Sequence, residues 1–278
     1  MTSADGALAG QAALVTGGSH GIGEAICLAL ASAGADVILT FHSDRAAADQ
    51  VARHTQQHGV HAAAIQADLD TIAGAGDLIA RVRDQALAPD ILVSNASASF
   101  APSRLADLDA EALSRKAGTD LGVLHTLATA FVPPMHQRGS GRLLVISSVH
   151  ALGPGSPGMC AHGTAKAALE AYVRYAADEL GGDNVTVNAL QLGFVATRST
   201  AAVPPPARDL LAAATPAGRL AAPADIAAAA LMLAQPAAGW INGAIIPVTG
   251  GLNQPLNMAR LLTPARPSAR EAAVVRLL

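Results

Sequence analysis

Ala12-Ala13-Leu14-Val15, followed by Thr16-Gly17-Gly18-Ser19-His20-Gly21-Ile22-Gly23, decides the fold. The four apolar residues make a short strand. A helix-period stretch then runs through Ile26, Leu28 and Leu30 to Gly34. Between them, glycines at 17, 21 and 23 let the backbone turn sharply, approach a pyrophosphate closely and pack the helix on the strand. An anion is then held by the free N–H groups at the helix start. Val37-Ile38-Leu39-Thr40 supplies the second strand where such a unit needs one.

Outward from this unit, strand-like runs recur at 62–66, 91–94, 142–147, 185–190 and 244–248, with helical patterns between them. Such alternation predicts an α/β fold: a doubly wound, Rossmann-like parallel sheet covered on both faces, with its crevice at the carboxyl ends of the strands. No linker, repeat or charge block divides the 278 residues, so a single domain over 1–251 is expected, with a C-terminal extension over 252–278. That extension is apolar enough to dock on a neighbouring subunit or over a pocket mouth.

Composition narrows the functional class. A 51% hydrophobic and 14% charged chain suits a thick core flanked by extensive subunit contacts. The net charge of −3, without a basic stripe, excludes nucleic acid as a partner. Cys27 and Cys160 lack metal or disulfide spacing, so they read as reduced thiols and no metal site is expected. There is no secretory signal and no apolar run of the ~18 residues a bilayer requires, so a cytoplasmic protein without a membrane partner is expected. Only Lys116 and Lys166 among the 18 basic residues are lysines. A compact ammonium titrates and fits between ribose hydroxyls where a planar guanidinium does not, which makes Lys166 worth asking about, whereas Lys116 reads as incidental.

The end of the second strand bears on which dinucleotide binds. An NAD site usually carries an acid there for the adenosine ribose. This chain has Phe41-His42-Ser43, with Asp44 only later, and Ser43, Arg45, His20 and His42 offer donors toward a 2′-phosphate. NADP(H) is favoured, and NAD(H) is left open.

With these pieces placed, residues 10–252 resemble the short-chain dehydrogenase/reductase family. The Thr16–Gly23 loop matches that family's cofactor loop, which assigns Gly17, Ser19, His20, Gly21, Ile22 and Gly23 to the cofactor. Asp68-Leu69 looks like the adenine-contacting pair. Ser94-Asn95-Ala96-Ser97 is similar to the segment after the fourth strand, keeping Asn95 and Ala96. Gly193-Phe194-Val195-Ala196-Thr197 resembles the loop over the nicotinamide, with Leu192 replacing a proline, and assigns Gly193, Val195 and Thr197 to the cofactor. Thr215-Pro216-x-Gly218-Arg219 and Val248-Thr249-Gly250-Gly251 also fit. Ser148, ending Ile146-Ser147-Ser148, matches the catalytic serine, and Lys166 the lysine that holds the ribose.

The departures fall where the resemblance places the chemistry. His162 stands where the family has its proton-donating tyrosine, and Thr119, counted from Gly122, stands for the helix asparagine. Tyr172 and Tyr175 are the only tyrosines, and both lie downstream of Lys166. His162 and Lys166 are i and i+4, so a helix places them on one face. Imidazole starts near ~6.5, and a neighbouring ammonium pushes it lower. Such a ring is a usable base and a poor acid at neutral pH, which suits alcohol oxidation better than ketone reduction. Activity is then expected to follow a titration near pH 6–7.

Two readings follow. One is an NADP(H)-dependent oxidoreductase of a carbonyl/alcohol pair on a hydrophobic small molecule, with His162 as acid/base. The other is a redox-inactive homologue that catalyses a non-redox step or acts as a binding protein. Residues 196–222, with Arg198 and Arg208 among apolar neighbours, are the candidate substrate lid. Cys160 reads as a packed thiol.

Overall fold

The computed structural model describes residues 6–85, 88–153 and 157–252. The docking expected of the C-terminal extension falls beyond residue 252, outside the described residues. Seven parallel strands run β1 (Ala12–Val15), β2 (Asp36–Phe41), β3 (Ala62–Gln66), β4 (Ile91–Ser94), β5 (Gly141–Ser148), β6 (Val185–Leu192) and β7 (Ile245–Val248). They stand in the order β3-β2-β1-β4-β5-β6-β7. The Rossmann-like doubly wound sheet expected from the sequence is the fold observed.

The strands are short apolar runs because both faces of the sheet are covered. Alternate residues feed separate cores. Ala13 and Val15 of β1 join one cluster with α1 (Gly21–Ser32), α2 (Arg45–Gln56) and the helix at Pro223–Ala234. Leu14 joins the other, with α3 (Ile72–Asp84), α4 (Ala110–Arg138) and α5 (Cys160–Glu179). From β1 the chain winds outward through β2 and β3, then returns to lay β4 on the opposite side of β1. The connections therefore diverge above the β1/β4 pair, and a crevice opens at their carboxyl ends.

The stretch 196–222 is not a bare lid. Residues Pro205–Ala214 form α6, which makes Pro223–Ala234 α7. Its two ends are stitched by an isolated parallel bridge between Val195 and Ala221, in which Ala196 N–H donates to Ala221 O at 2.8 Å. No described helix is long and apolar enough to cross a membrane.

Leu92 of β4 is fully buried in the core beneath the crevice. Leu92→Ala is expected to lower unfolding free energy by about 3–5 kcal/mol, read as a shift of the urea midpoint at unchanged slope.

Candidate active site

The glycine turn is fixed from below by Thr16 and Asn95. The Asn95 side-chain amide donates to the carbonyl oxygens of Thr16 (2.9 Å) and Gly17 (3.1 Å). The backbone N–H groups of Asn95 and Ala96 both donate to Thr16 Oγ1 at 2.9 Å. Gly17 sits in the left-handed region at φ 65°, and a Cβ on Gly23 would collide with the Gly17 carbonyl. The loop is a cradle that side chains would fill. It opens on a cavity of about 540 Å³, lined by Gly17, Ser19, His20, Gly21, Ile22 and Gly23 and closed on other sides by Leu69, Asn95, Ala96 and Thr197. That volume lies within the roughly 300–1,000 Å³ of small-molecule and cofactor sites. A dinucleotide fits these residues on geometric and chemical grounds, its pyrophosphate over the start of α1.

Ten of the sequence-assigned cofactor residues line this cavity, whereas Ser43, Asp68, Lys166, Gly193 and Val195 do not. Thr40, Phe41, His42, Ala67, Asp70, Ser97, Ser99 and Ser199 join the lining. His42 Nε2 lies 3.8 Å from Asp68 Oδ1, which places Asp68 beside the lining. Asp44, the first acid after β2, is turned away: its carboxylate accepts from Ala47 N–H at 3.0 Å to cap α2 and lies 3.9 Å from Arg198.

The chemical end is built by β5, α4 and α5. Ser148 closes β5, and His162 and Lys166 occupy successive turns at the start of α5. Lys166 is buried and donates to Ile146 O at 2.9 Å. Burial lowers its pKa to about 8; Asp120 works against that fall and Lys116 adds to it. His162 stacks on Phe100, with centroids 5.4 Å apart, and meets His150 edge-on at 5.7 Å. Its Nδ1 is buried and has no hydrogen-bond partner among the described residues. Burial first, then Lys166, His150 and Lys116, lower the His162 pKa to about 3. The titration expected near pH 6–7 is therefore corrected: the ring is neutral throughout that range. The direction inferred from Lys166 holds, but desolvation is the larger cause.

Lys116 also requires correction. Far from incidental, it is 2% exposed, and its ammonium donates to Ser97 Oγ (2.7 Å), Ala98 O (2.6 Å) and Asp120 Oδ2 (2.8 Å). Asp120 in turn accepts from Ala98 N–H at 2.7 Å and Ser97 Oγ at 2.9 Å. Asp120 is thus an α4 residue turned into the site, and the sequence reading did not single it out. The i,i+4 placement of a rare lysine with an aspartate was the available signal. His150 and Phe100 carried no sequence signal.

Comparisons place these features among known proteins. Residues 17–253 match a family model described as enoyl-(acyl carrier protein) reductase. An uncharacterized oxidoreductase of Mycobacterium tuberculosis is 37% identical over 255 residues, covering 88% of this chain and 93% of that protein. A solved 7α-hydroxysteroid dehydrogenase, complexed with NADH and 7-oxo glycochenodeoxycholic acid, superposes with a TM-score of 0.84 at 32% identity, over 92% of this chain and 100% of the other. A 3-oxoacyl-(acyl-carrier-protein) reductase from Agrobacterium tumefaciens with NADP bound gives 0.81 at 34%, over 88% and 95%.

Lys116→Met leaves the Asp120 carboxylate buried without its cation, and a loss of about 3–5 kcal/mol in urea unfolding is expected. Lys116→Met combined with Asp120→Leu should restore most of that stability, a double-mutant cycle that separates the pair from simple packing. A second expectation concerns pH. Between pH 6.5 and about 3 the unfolded chain binds a proton that folded His162 refuses. Its contribution is therefore full above pH 6.5 and is lost as pH falls toward 3. His162→Phe should flatten the pH dependence of unfolding free energy by up to about 1.4 kcal/mol per pH unit across that window, measured by urea titration at several pH values.

Proposed function

Because the chain belongs to the short-chain dehydrogenase/reductase family, we propose that it is an NADP(H)-dependent oxidoreductase acting on a carbonyl/alcohol pair of a hydrophobic small molecule. The observation that carries this reading is the continuity of the glycine-loop cavity with the Ser97–Lys116–Asp120 cluster, through Ser97, which belongs to both. The choice of NADP(H) is supported by the engagement of Asp44 as a helix cap and by His42 in the lining where an acid would repel a 2′-phosphate. The solved relatives carry NADH in one case and NADP in another. Exposed Leu152, at the end of the 3₁₀ turn that Ser148 caps, favours an apolar substrate.

When bound, the nicotinamide supplies the hydride acceptor or donor. This chain's residues do the rest. Lys166 holds the ribose, and Ser148 hydrogen-bonds the substrate oxygen. Neutral His162, in place of a tyrosine, accepts the hydroxyl proton as the adjacent C–H electron pair leaves with its hydrogen, and then releases that proton to solvent. One alcohol becomes one carbonyl, with one hydride transferred and one proton freed. In reverse, reduction needs an imidazolium that burial and two ammonium groups disfavour, so oxidation is the preferred direction. The same reading takes the protein as a homodimer or homotetramer, supported by the exposed aromatic rings of Tyr175 on α5 and of Trp240.

A redox-inactive homologue is the second reading, favoured by the sealed, unpartnered Nδ1 of His162 and its very low basicity. Absorbance at 340 nm separates the two, since a non-redox catalyst converts its substrate with no NADPH change. Under the first reading, His162→Phe should reduce turnover by about 10²–10⁴-fold while leaving the NADPH dissociation constant within about twofold. Unchanged turnover in that variant removes His162 from the reaction.

A further inference from the structure

His150 is the second residue of the 3₁₀ turn Val149–Leu152 that follows β5, and Ser148 caps that turn. Its backbone N–H donates to Ser148 Oγ at 3.3 Å, and its ring Nδ1 lies 3.2 Å from the same oxygen. The residue is wedged in place. A Cβ on Gly163 would come within 2.7 Å of the His150 carbonyl oxygen, so α5 lies directly on this backbone. The His150 ring also packs edge-on to His162. Burial lowers its pKa, so the ring is neutral, and neutral imidazole has two tautomers.

The tautomer determines what Ser148 can do. A serine hydroxyl has one proton to give and two lone pairs to accept with. One lone pair is already taken by the His150 backbone N–H. If Nδ1 is bare, Ser148 gives its only proton to it and has none for a substrate oxygen. If Nδ1 carries hydrogen, it donates to the second lone pair of Ser148, and the hydroxyl proton is free to face the crevice.

The other ring nitrogen decides between these states. His150 Nε2 is sealed and has no partner among the described residues. Among buried backbone groups, an N–H without an acceptor is rarer than an acceptor left short of a donor, and the same preference is taken for the imidazole. The favoured tautomer therefore leaves Nε2 bare and puts the hydrogen on Nδ1.

We propose that His150 is a positioning residue that presets Ser148 as a hydrogen-bond donor toward the substrate oxygen, through an Nδ1–H tautomer enforced by the dry surroundings of Nε2. The proposal rests on the oxidoreductase reading for the identity of the acceptor, but the tautomer itself does not. Through that tautomer Ser148, although already bonded within its own turn, would retain its hydroxyl proton for a substrate. It also divides the two histidines: His162 handles the proton that moves, and His150 holds one that stays.

Two measurements test it. In ¹⁵N-histidine-labelled full-length protein, long-range ¹H–¹⁵N correlation should show His150, assigned by the signal missing in His150→Gln, with a pyrrole-type Nδ1 and a pyridine-type Nε2. The reverse pattern overturns the proposal whether or not the protein turns over any substrate. For activity, NADP⁺ reduction at 340 nm is followed with 1-phenylethanol, a hydrophobic secondary alcohol. His150→Asn, whose amide nitrogen replaces Nδ1–H, should keep kcat within about fivefold, whereas His150→Gln and His150→Phe should lose about 10²-fold at little changed KM, as for other preorganised donors. Equal kcat in the Asn and Gln variants overturns it. A wild-type protein inert at 340 nm with this and other secondary alcohols counts against the oxidoreductase reading, while the nitrogen spectrum still decides the tautomer.

Discussion

The clamp that Thr16 and Asn95 form across the ends of β1 and β4 holds the rest of the site in place. Four hydrogen bonds between these neighbouring strand ends keep the glycine turn open at the point where the sheet connections diverge. Asn95 spends its amide on the loop carbonyls, so it acts by shaping the cradle. The cavity, the start of α1 and the approach of Thr197 from beyond β6 all take their positions from that clamp.

A second constraint is electrostatic. Two buried ammonium groups, Lys116 and Lys166, share one nearby buried carboxylate, Asp120. Lys116 is neutralised by direct contact and its donors are saturated by Ser97, Ala98 and Asp120. Among the described residues Lys166 has only the Ile146 carbonyl as a bonded partner, and it carries the lowered pKa. His162 lies beside both cations and against Phe100, so it remains a neutral ring. This arrangement makes a weak base in a dry place rather than an acid.

These features separate the scaffold from its chemistry. The scaffold is that of a dinucleotide-binding sheet, shared with relatives of roughly one-third identity. The chemical end is a set of contacting residues: His162, His150, Phe100, Lys116 and Asp120 are linked in a chain of stacking, edge, cation–ring and ion-pair contacts. Contacts of this kind couple, so changes at any one of these positions act on the others.

The sequence by itself determined the doubly wound sheet, because strand and helix periodicities are local and each segment carries its own. It also determined the glycine cradle, since the conformations at Gly17 and Gly21 and the close packing at Gly23 are demands that neighbouring residues state directly. The pairing of His162 with Lys166 was legible for the same reason, as one helix face spaces them. Tertiary structure alone decided the state of that imidazole. Its burial, its stacking on Phe100 and its edge contact with His150 join segments from three parts of the chain, and desolvation is a property of the packed volume around a group. The burial of Lys116 with Asp120 was settled in the same way, by the packing of α4 against Ser97 and Ala98 in the segment after β4.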